Sequence, residues 1–193
     1  MTLILASSSP IRRQMLHAAG VEHDVIASNI DEDVIKALHS DAAEMTAELA
    51  AAKAVSVSRG SPEAWVIGSD SAVTVEGRLF DKPAGREAAA EHLRAFSGRS
   101  MQLTSAVALA RGGAVDWSHA EVANLQVRTL SAAFIQSYLD AEWPEVGYCV
   151  GVFRMEGRGV QLFESVDGSH FTILGMPLLA LLGALRERGL LPA

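Results

Sequence analysis

Only one cysteine, Cys149, stands in 193 residues, so the chain can form no internal disulfide and a reducing, cytoplasmic setting is expected. Long hydrophobic runs are missing too. MPLLALLGALRERG at 176–189 falls short of the ~20 apolar residues that cross a bilayer, and it ends in charges, so no membrane partner is expected. The apolar run near the N-terminus is short and has no basic segment before it, so no signal peptide is expected. Lysine is scarce: Lys36, Lys53 and Lys82 are set against thirteen arginines, within a net charge of −7. That balance excludes a general nucleic-acid binder, which needs a basic face to displace counterions. An acidic protein that handles phosphates must gather its few cations locally, so the positions of the lysines carry information. The chain has no G-x-x-x-x-G-K-[ST], G-x-G-x-x-G, H-E-x-x-H or G-x-S-x-G, and His17, His23, His39, His92, His119 and His170 show no ligand spacing.

What is present reads as a globular chain, 49% hydrophobic and 20% charged, and residues 1–193 are expected to form one domain without repeat or long linker. A strand is expected at 2–6 and a helix at 10–19, with Pro10 in its first turn and Gly20 past its end. A second strand is expected at 22–28, then an acidic loop, NIDED. The Ala-rich 41–58 predicts a helix, and 64–80 predicts β-structure with a hairpin at Glu76-Gly77. Further on come a helix at 84–96, two strands in 101–130 joined at Gly112-Gly113, and a helix at 131–142 capped by Ser131. Short strands are expected near 148–154, 160–165 and 171–174, then a final helix at 177–188. Interleaved strands and helices make the class α/β (mixed α+β), with a central mixed sheet flanked by helices.

Four stretches could carry chemistry. In LILASSSPIRRQML a strand runs through Ser7-Ser8-Ser9 into a helix start, where free N–H groups and the helix dipole favour an anion. Arg12 and Arg13 add planar forks suited to phosphate, although a capped helix with solvated arginines has the same pattern. In VIGSDSAV, Asp70 follows an apolar strand and a Gly-Ser pair that lets the backbone turn; it faces a ligand crevice or caps that turn. In FDKP, Lys82 lies one hairpin length after Asp70. The cluster Asp31-Glu32-Asp33 solvates a loop or, with Asp70, supplies hard oxygen ligands for Mg²⁺ or Mn²⁺. Cys149, among apolar neighbours, reads as a small core residue in a strand.

The ordered set LILASSSPIRRQML, IDED (30–33), ELAAAKA (48–54), VIGSD (66–70), KP (82–83), HLRAFSGRS (92–100), EGRGVQLFESVDGS (156–169) and ILGMPLLALLGAL (173–185) resembles the Maf (septum formation) family of nucleoside triphosphate pyrophosphatases over essentially the whole chain. The resemblance implies a Maf/ITPase-like fold with two lobes around a nucleotide cleft. It implies hydrolysis between the α- and β-phosphates with a divalent cation, Mg²⁺ or Mn²⁺, limiting the use of non-standard nucleotides. The family's proton acceptor falls on Asp70 and an acidic residue of its metal site on Glu32; Asp70 takes the proton or, with Glu32, holds the ion. Its phosphate-binding arginine falls on Arg12, with lysines on Lys53 and Lys82 (Lys82 a further catalytic cation). Ser7 and Arg13 of the same opening stretch are further phosphate candidates, Arg13 at a position that varies between branches or is a solvated charge.

Departures bear on the substrate. Relatives acting on dTTP and UTP carry arginine, threonine and glutamine where this chain has Ile11, Ser71 and Glu156. The 7-methyl-GTP branch is more similar and shares glutamate at 156, but carries tryptophan and glutamine at 11 and 71. A carboxylate at Glu156 suits the N–H donors of guanine and the positive charge of an N7-methylated ring; Ile11 leaves no stacking partner for a cationic base. A modified guanine nucleotide is therefore the expected small-molecule partner. A dTTP/UTP-type pyrophosphatase and a nucleotide-binding regulator of cell division are the alternatives, and a homodimer is left open.

Overall fold

The computed structural model describes residues 2–192. The chain folds as β1 (Leu3–Leu5), α1 (Pro10–Ala18), β2 (Asp24–Val25), α2 (Glu32–Lys36), α3 (Ala42–Gly60), β3 (Trp65–Val75), β4 (Arg78–Phe80), α4 (Arg86–Phe96) and β5 (Ser100–Arg111). Then follow β6 (Ala114–Val127), α5 (Ala132–Glu142), β7 (Phe163–Asp167), α6 (His170–Ile173) and α7 (Leu178–Glu187), with 3₁₀ turns at Glu145–Tyr148 and Arg158–Leu162. The strands form one mixed sheet in the order β2-β1-β3-β5-β6-β7, with β4 paired to β3. β1 runs parallel to β2 and β3, while β3/β4 and β6/β7 are antiparallel. The expected class, a mixed sheet flanked by helices, is the observed one.

Two compact units can be distinguished: one takes residues up to 71, 104–121 and from 169 onward, the other 72–103 and 122–168. In the first, alternation along buried strands sends side chains to two layers. Leu3, Leu5, Trp65, Ile67, Val107 and Leu109 pack with Met15 and Leu16 of α1 and Leu181 and Leu185 of α7. Ile4, Ala6, Val66, Ala106 and Ala108 pack against Ala50, Ala54 and Val57 of α3. That second layer is thin because it is built of alanine, and it lets α3 approach β3 closely. A Cβ on Gly68 would lie 2.1 Å from the Ala50 carbonyl oxygen and 2.6 Å from the Ala54 nitrogen. In the second unit, Phe80 packs edge-on against Phe96 with centroids 4.8 Å apart, and Phe153 does the same with Phe163.

Several expectations need correction. VIGSD does not turn: β3 continues unbroken from 65 to 75, so Asp70 lies mid-strand, and Gly68 serves the close helix contact rather than a bend. The acidic IDED stretch forms α2, a five-residue helix whose N-cap, Asp31, accepts from Asp33 N at 3.2 Å. The strand expected at 22–28 shrinks to two residues. Of the three late strands only β7 exists; 148–154 is a 3₁₀ turn and loop, and 171–174 is mostly helix. These short apolar runs have no period long enough to separate strand from turn. Cys149 consequently caps a 3₁₀ turn instead of lying in a strand.

Candidate active site

The first unit gathers its polar residues on β3 and the elements facing it. Asp70 and Lys53 are both buried, although charged side chains seldom are unless paired. The Lys53 ammonium, reaching from α3, lies 2.6 Å from Asp70 Oδ1 and 2.7 Å from Glu32 Oε1. α2 places Glu32 in its first turn, where the helix dipole favours a carboxylate. The Ala-rich sequence of α3 brings that helix close to β3, and this closeness lets a lysine stem end on a mid-strand aspartate. Two carboxylates thus converge on a single positive charge. Among the described residues no three His, Cys, Asp or Glu side chains cluster to hold a metal by themselves.

Arg12, half-buried on the first turn of α1, is held on three sides. Its Nε donates to the Gly175 carbonyl at 2.8 Å, its Nη1 to the Ser69 carbonyl at 3.0 Å and more weakly to Ser7 Oγ at 3.4 Å, and its Nη2 to Ser71 Oγ at 3.0 Å. Burial pulls its pKa below the ordinary arginine value, while the charges of Asp70 and Glu32 push the other way. Ser7 Oγ also accepts from Ser9 N at 3.2 Å, whereas Ser9 itself makes no side-chain cap. The helix start therefore differs from the expected serine-capped one: Ser7 folds the loop and the first-turn amides carry no side-chain acceptor. Arg13 is exposed on the same turn, and Ile11 is half-buried.

The expected set is thus partly assembled. The first unit brings Glu32, Lys53 and Asp70 into contact and joins Arg12 to Ser7 and Ser71. Lys82 and Glu156 belong to the second unit. Lys82 is exposed two residues beyond β4, and Glu156 Oε1 pairs with Arg154 Nε at 3.4 Å. Gly159 makes that loop possible, since a Cβ there would meet the Arg154 backbone oxygen at 2.5 Å. Nearby, burial and then Glu156 push the Cys149 thiol up to about 11, so it is a poor nucleophile at neutral pH.

A family model described as Maf-like protein matches residues 2–188. This chain belongs to the Maf-like protein family. Its Maf-like relatives include the "Nucleoside triphosphate pyrophosphatase" of Nitrobacter hamburgensis, 46% identical over 98% of this chain and 95% of that protein. The "7-methyl-GTP pyrophosphatase" of Rhizobium meliloti is 43% identical over 99% and 98% of the two chains. Among solved structures, the Ham1 protein of Staphylococcus aureus is similar at a TM-score of 0.49 and 15% identity, covering 98% of this chain and 100% of that one.

Residues that pattern reading passed over also stand in this site of the Maf-like chain. Ser69 Oγ donates to the Gly175 carbonyl at 3.0 Å, and Ser105 Oγ to the Thr172 carbonyl at 2.8 Å. Their signal was a hydroxyl inside an otherwise apolar strand, as in VIGSDSAV and LTSAVALA, because a buried hydroxyl needs a partner.

Proposed function

We propose that the chain hydrolyses nucleoside triphosphates between the α- and β-phosphates, yielding a nucleoside monophosphate and pyrophosphate, with residues 1–193 acting as one nucleotide pyrophosphatase domain. The supporting observation is the Lys53 ammonium seated between Asp70 and Glu32, in the same unit as the guanidinium of Arg12. Full-length relatives named as pyrophosphatases support the same reading.

Two carboxylates meeting on one cation fit a hard divalent ion, Mg²⁺ or Mn²⁺, of the kind that takes a few carboxylates and fills its remaining positions with water and phosphate oxygens. Glu32 and Asp70 would hold it. When bound, the ion neutralises phosphate charge and acidifies water. The chain's own side chains account for the rest. Asp70 takes the proton of a water whose oxygen adds to the α-phosphorus; the bridging P–O bond breaks, and its electrons leave with pyrophosphate. Lys53, Arg12 and Lys82, with Ser7 and Arg13, oppose the charge that develops on that leaving group. Lys53 exchanges a carboxylate for a phosphate oxygen as the anion arrives.

For the base, Glu156 accepts from the ring N–H and amino group of guanine and attracts an N7-methylated ring, with Ile11 and Ser71 completing the selection. The substrate class is modified guanine nucleotides such as 7-methyl-GTP. The lone thiol supports a cytoplasmic setting, and no helix among the described residues is long and apolar enough to cross a membrane. Light scattering distinguishes a homodimer from a monomer.

Purified protein with Mg²⁺ or Mn²⁺, given 7-methyl-GTP, GTP, UTP and dTTP, tests the reading. Pyrophosphate release that is fastest with 7-methyl-GTP supports it. No release across the panel, or phosphate release that needs no coupling to inorganic pyrophosphatase, contradicts it.

A further inference from the structure

We propose that Ser105, on β5, is a positioning residue for this reaction, acting on Arg12 through Ser71; this rests on the reading that Arg12 meets the phosphates. The geometry is a buried relay within the first unit. Ser105 Oγ lies 2.8 Å from Ser71 Oγ and 2.8 Å from the Thr172 carbonyl. Ser71 Oγ lies 3.1 Å from the Gly175 carbonyl and accepts from Arg12 Nη2 at 3.0 Å. Ser105 is fully buried and hydrogen-bonds to Ser71 and the Thr172 carbonyl rather than to a charged group, so its influence passes through the neighbouring hydroxyl.

Proton counting shows what it does. The two serines own one hydroxyl proton each, yet three contacts call for one: Ser71 to Ser105, Ser71 to Gly175 and Ser105 to Thr172. Either Ser71 donates to Ser105 and Ser105 to Thr172, or Ser105 donates to Ser71 and Ser71 to Gly175. In both states a lone pair of Ser71 is left for Arg12 Nη2, and Ser105 tethers the Ser71 oxygen. Gly175 completes the seat. Its φ of +105° suits glycine, and a Cβ there would approach Ser71 Oγ at 3.2 Å and Arg12 Nη2 at 3.5 Å.

These bonds use four of the five Arg12 N–H groups, leaving one hydrogen on Nη2. The arginine therefore offers a phosphate one aimed N–H, on the nitrogen that Ser71 holds, rather than an open fork. A looser Ser71 misaims that hydrogen.

Removing the Ser105 hydroxyl orphans nothing. The Thr172 carbonyl keeps the Gly175 amide at 3.0 Å, and Ser71 keeps the Gly175 carbonyl. The fold should accept Ser105→Ala, and a change in function then reports positioning. Ser105→Ala is expected to raise KM for the nucleotide about fivefold, the factor of one neutral hydrogen bond, with kcat within about twofold. In a Ser71→Ala background the same substitution should change KM by less than about 1.5-fold, since the relay is already cut. Ser105→Cys, with its weak S–H donor, should fall between. Calorimetric binding of inorganic tripolyphosphate gives a readout independent of hydrolysis, and Ser105→Ala should weaken it by a similar factor. Unchanged tripolyphosphate binding in a folded Ser105→Ala protein, or full additivity with Ser71→Ala, overturns the positioning role alone. A wild type that neither binds tripolyphosphate nor hydrolyses nucleotides overturns the functional reading, and this proposal with it.

Discussion

The buried cluster around Asp70 and the loop carrying Glu156 handle charge in different ways. Arg12 is held by Ser7, by Ser69 and Ser71 of β3 and by Gly175 before α7, and Asp70 is paired with Lys53 of α3, which also reaches Glu32 of α2. Glu156 is exposed, belongs to no regular element and pairs with Arg154, two residues away. An exposed ion pair of that kind contributes little to stability. On the function proposed above, the contrast is between chemistry and selection. Groups that must oppose phosphate charge gain from a dry, preorganised setting. A group that chooses among bases, as proposed for Glu156, can change with little effect on the fold.

Substitutions at each end of that contrast should differ in size and in kind. The largest effect is expected for Asp70→Asn, which keeps the shape of the side chain but removes its proton acceptance: pyrophosphate release should fall about 10³-fold in a coupled assay. Lys53→Met should act on stability as well as rate, because it removes the ammonium that pairs with buried Asp70 and with Glu32. A loss of about 3 kcal/mol is expected in urea unfolding, and millimolar Mg²⁺ should recover part of it if the two carboxylates accept that ion. If Mg²⁺ leaves the Lys53→Met transition unmoved, the carboxylates are not a cation site.

Gly68→Ala separates packing from charge. Its Cβ would run into the α3 backbone, which cannot yield as a flexible side chain does, so destabilisation of about 3 kcal/mol is expected without any change in titratable groups. Glu156→Gln should leave the melting temperature within about 1 °C and move the nucleotide preference about tenfold from guanine toward uracil or thymine, read from kcat/KM ratios. An unchanged preference would remove Glu156 from base selection.

The loop end of the comparison also carries a pH slope. Cys149 has a folded-state pKa raised to about 11 by burial first and by Glu156 next. Between its unfolded value and about 11 the unfolded chain binds fewer protons than the folded one, so stability falls as pH rises through that window. Cys149→Ser should flatten the fall between about pH 9 and pH 11 in urea titrations.

Much of this was readable from residue types, and the failures share a cause. The long elements α3, β5 and β6, the Glu76-Gly77 hairpin and the Ser131 cap follow from composition, alternation and turn chemistry. The catalytic candidates were legible because scarce lysines and ordered motifs drew attention to them. What escaped was tertiary. Gly68 looked like a turn because sequence cannot show that Ala50 and Ala54 will press against it. IDED looked like loop because a five-residue helix has too few turns to print a period. Ser105 and Gly175 escaped because they are far from Arg12 along the chain and meet it only through the sheet and the turn before α7.

The central claim is that water attacks the α-phosphorus with pyrophosphate leaving. The most direct measurement is ³¹P NMR of 7-methyl-GTP hydrolysed by the wild-type protein in H₂¹⁸O. The account predicts equal amounts of nucleoside monophosphate and pyrophosphate, with the heavy oxygen in the monophosphate. Orthophosphate with a nucleoside diphosphate, or heavy oxygen in the pyrophosphate, would contradict it.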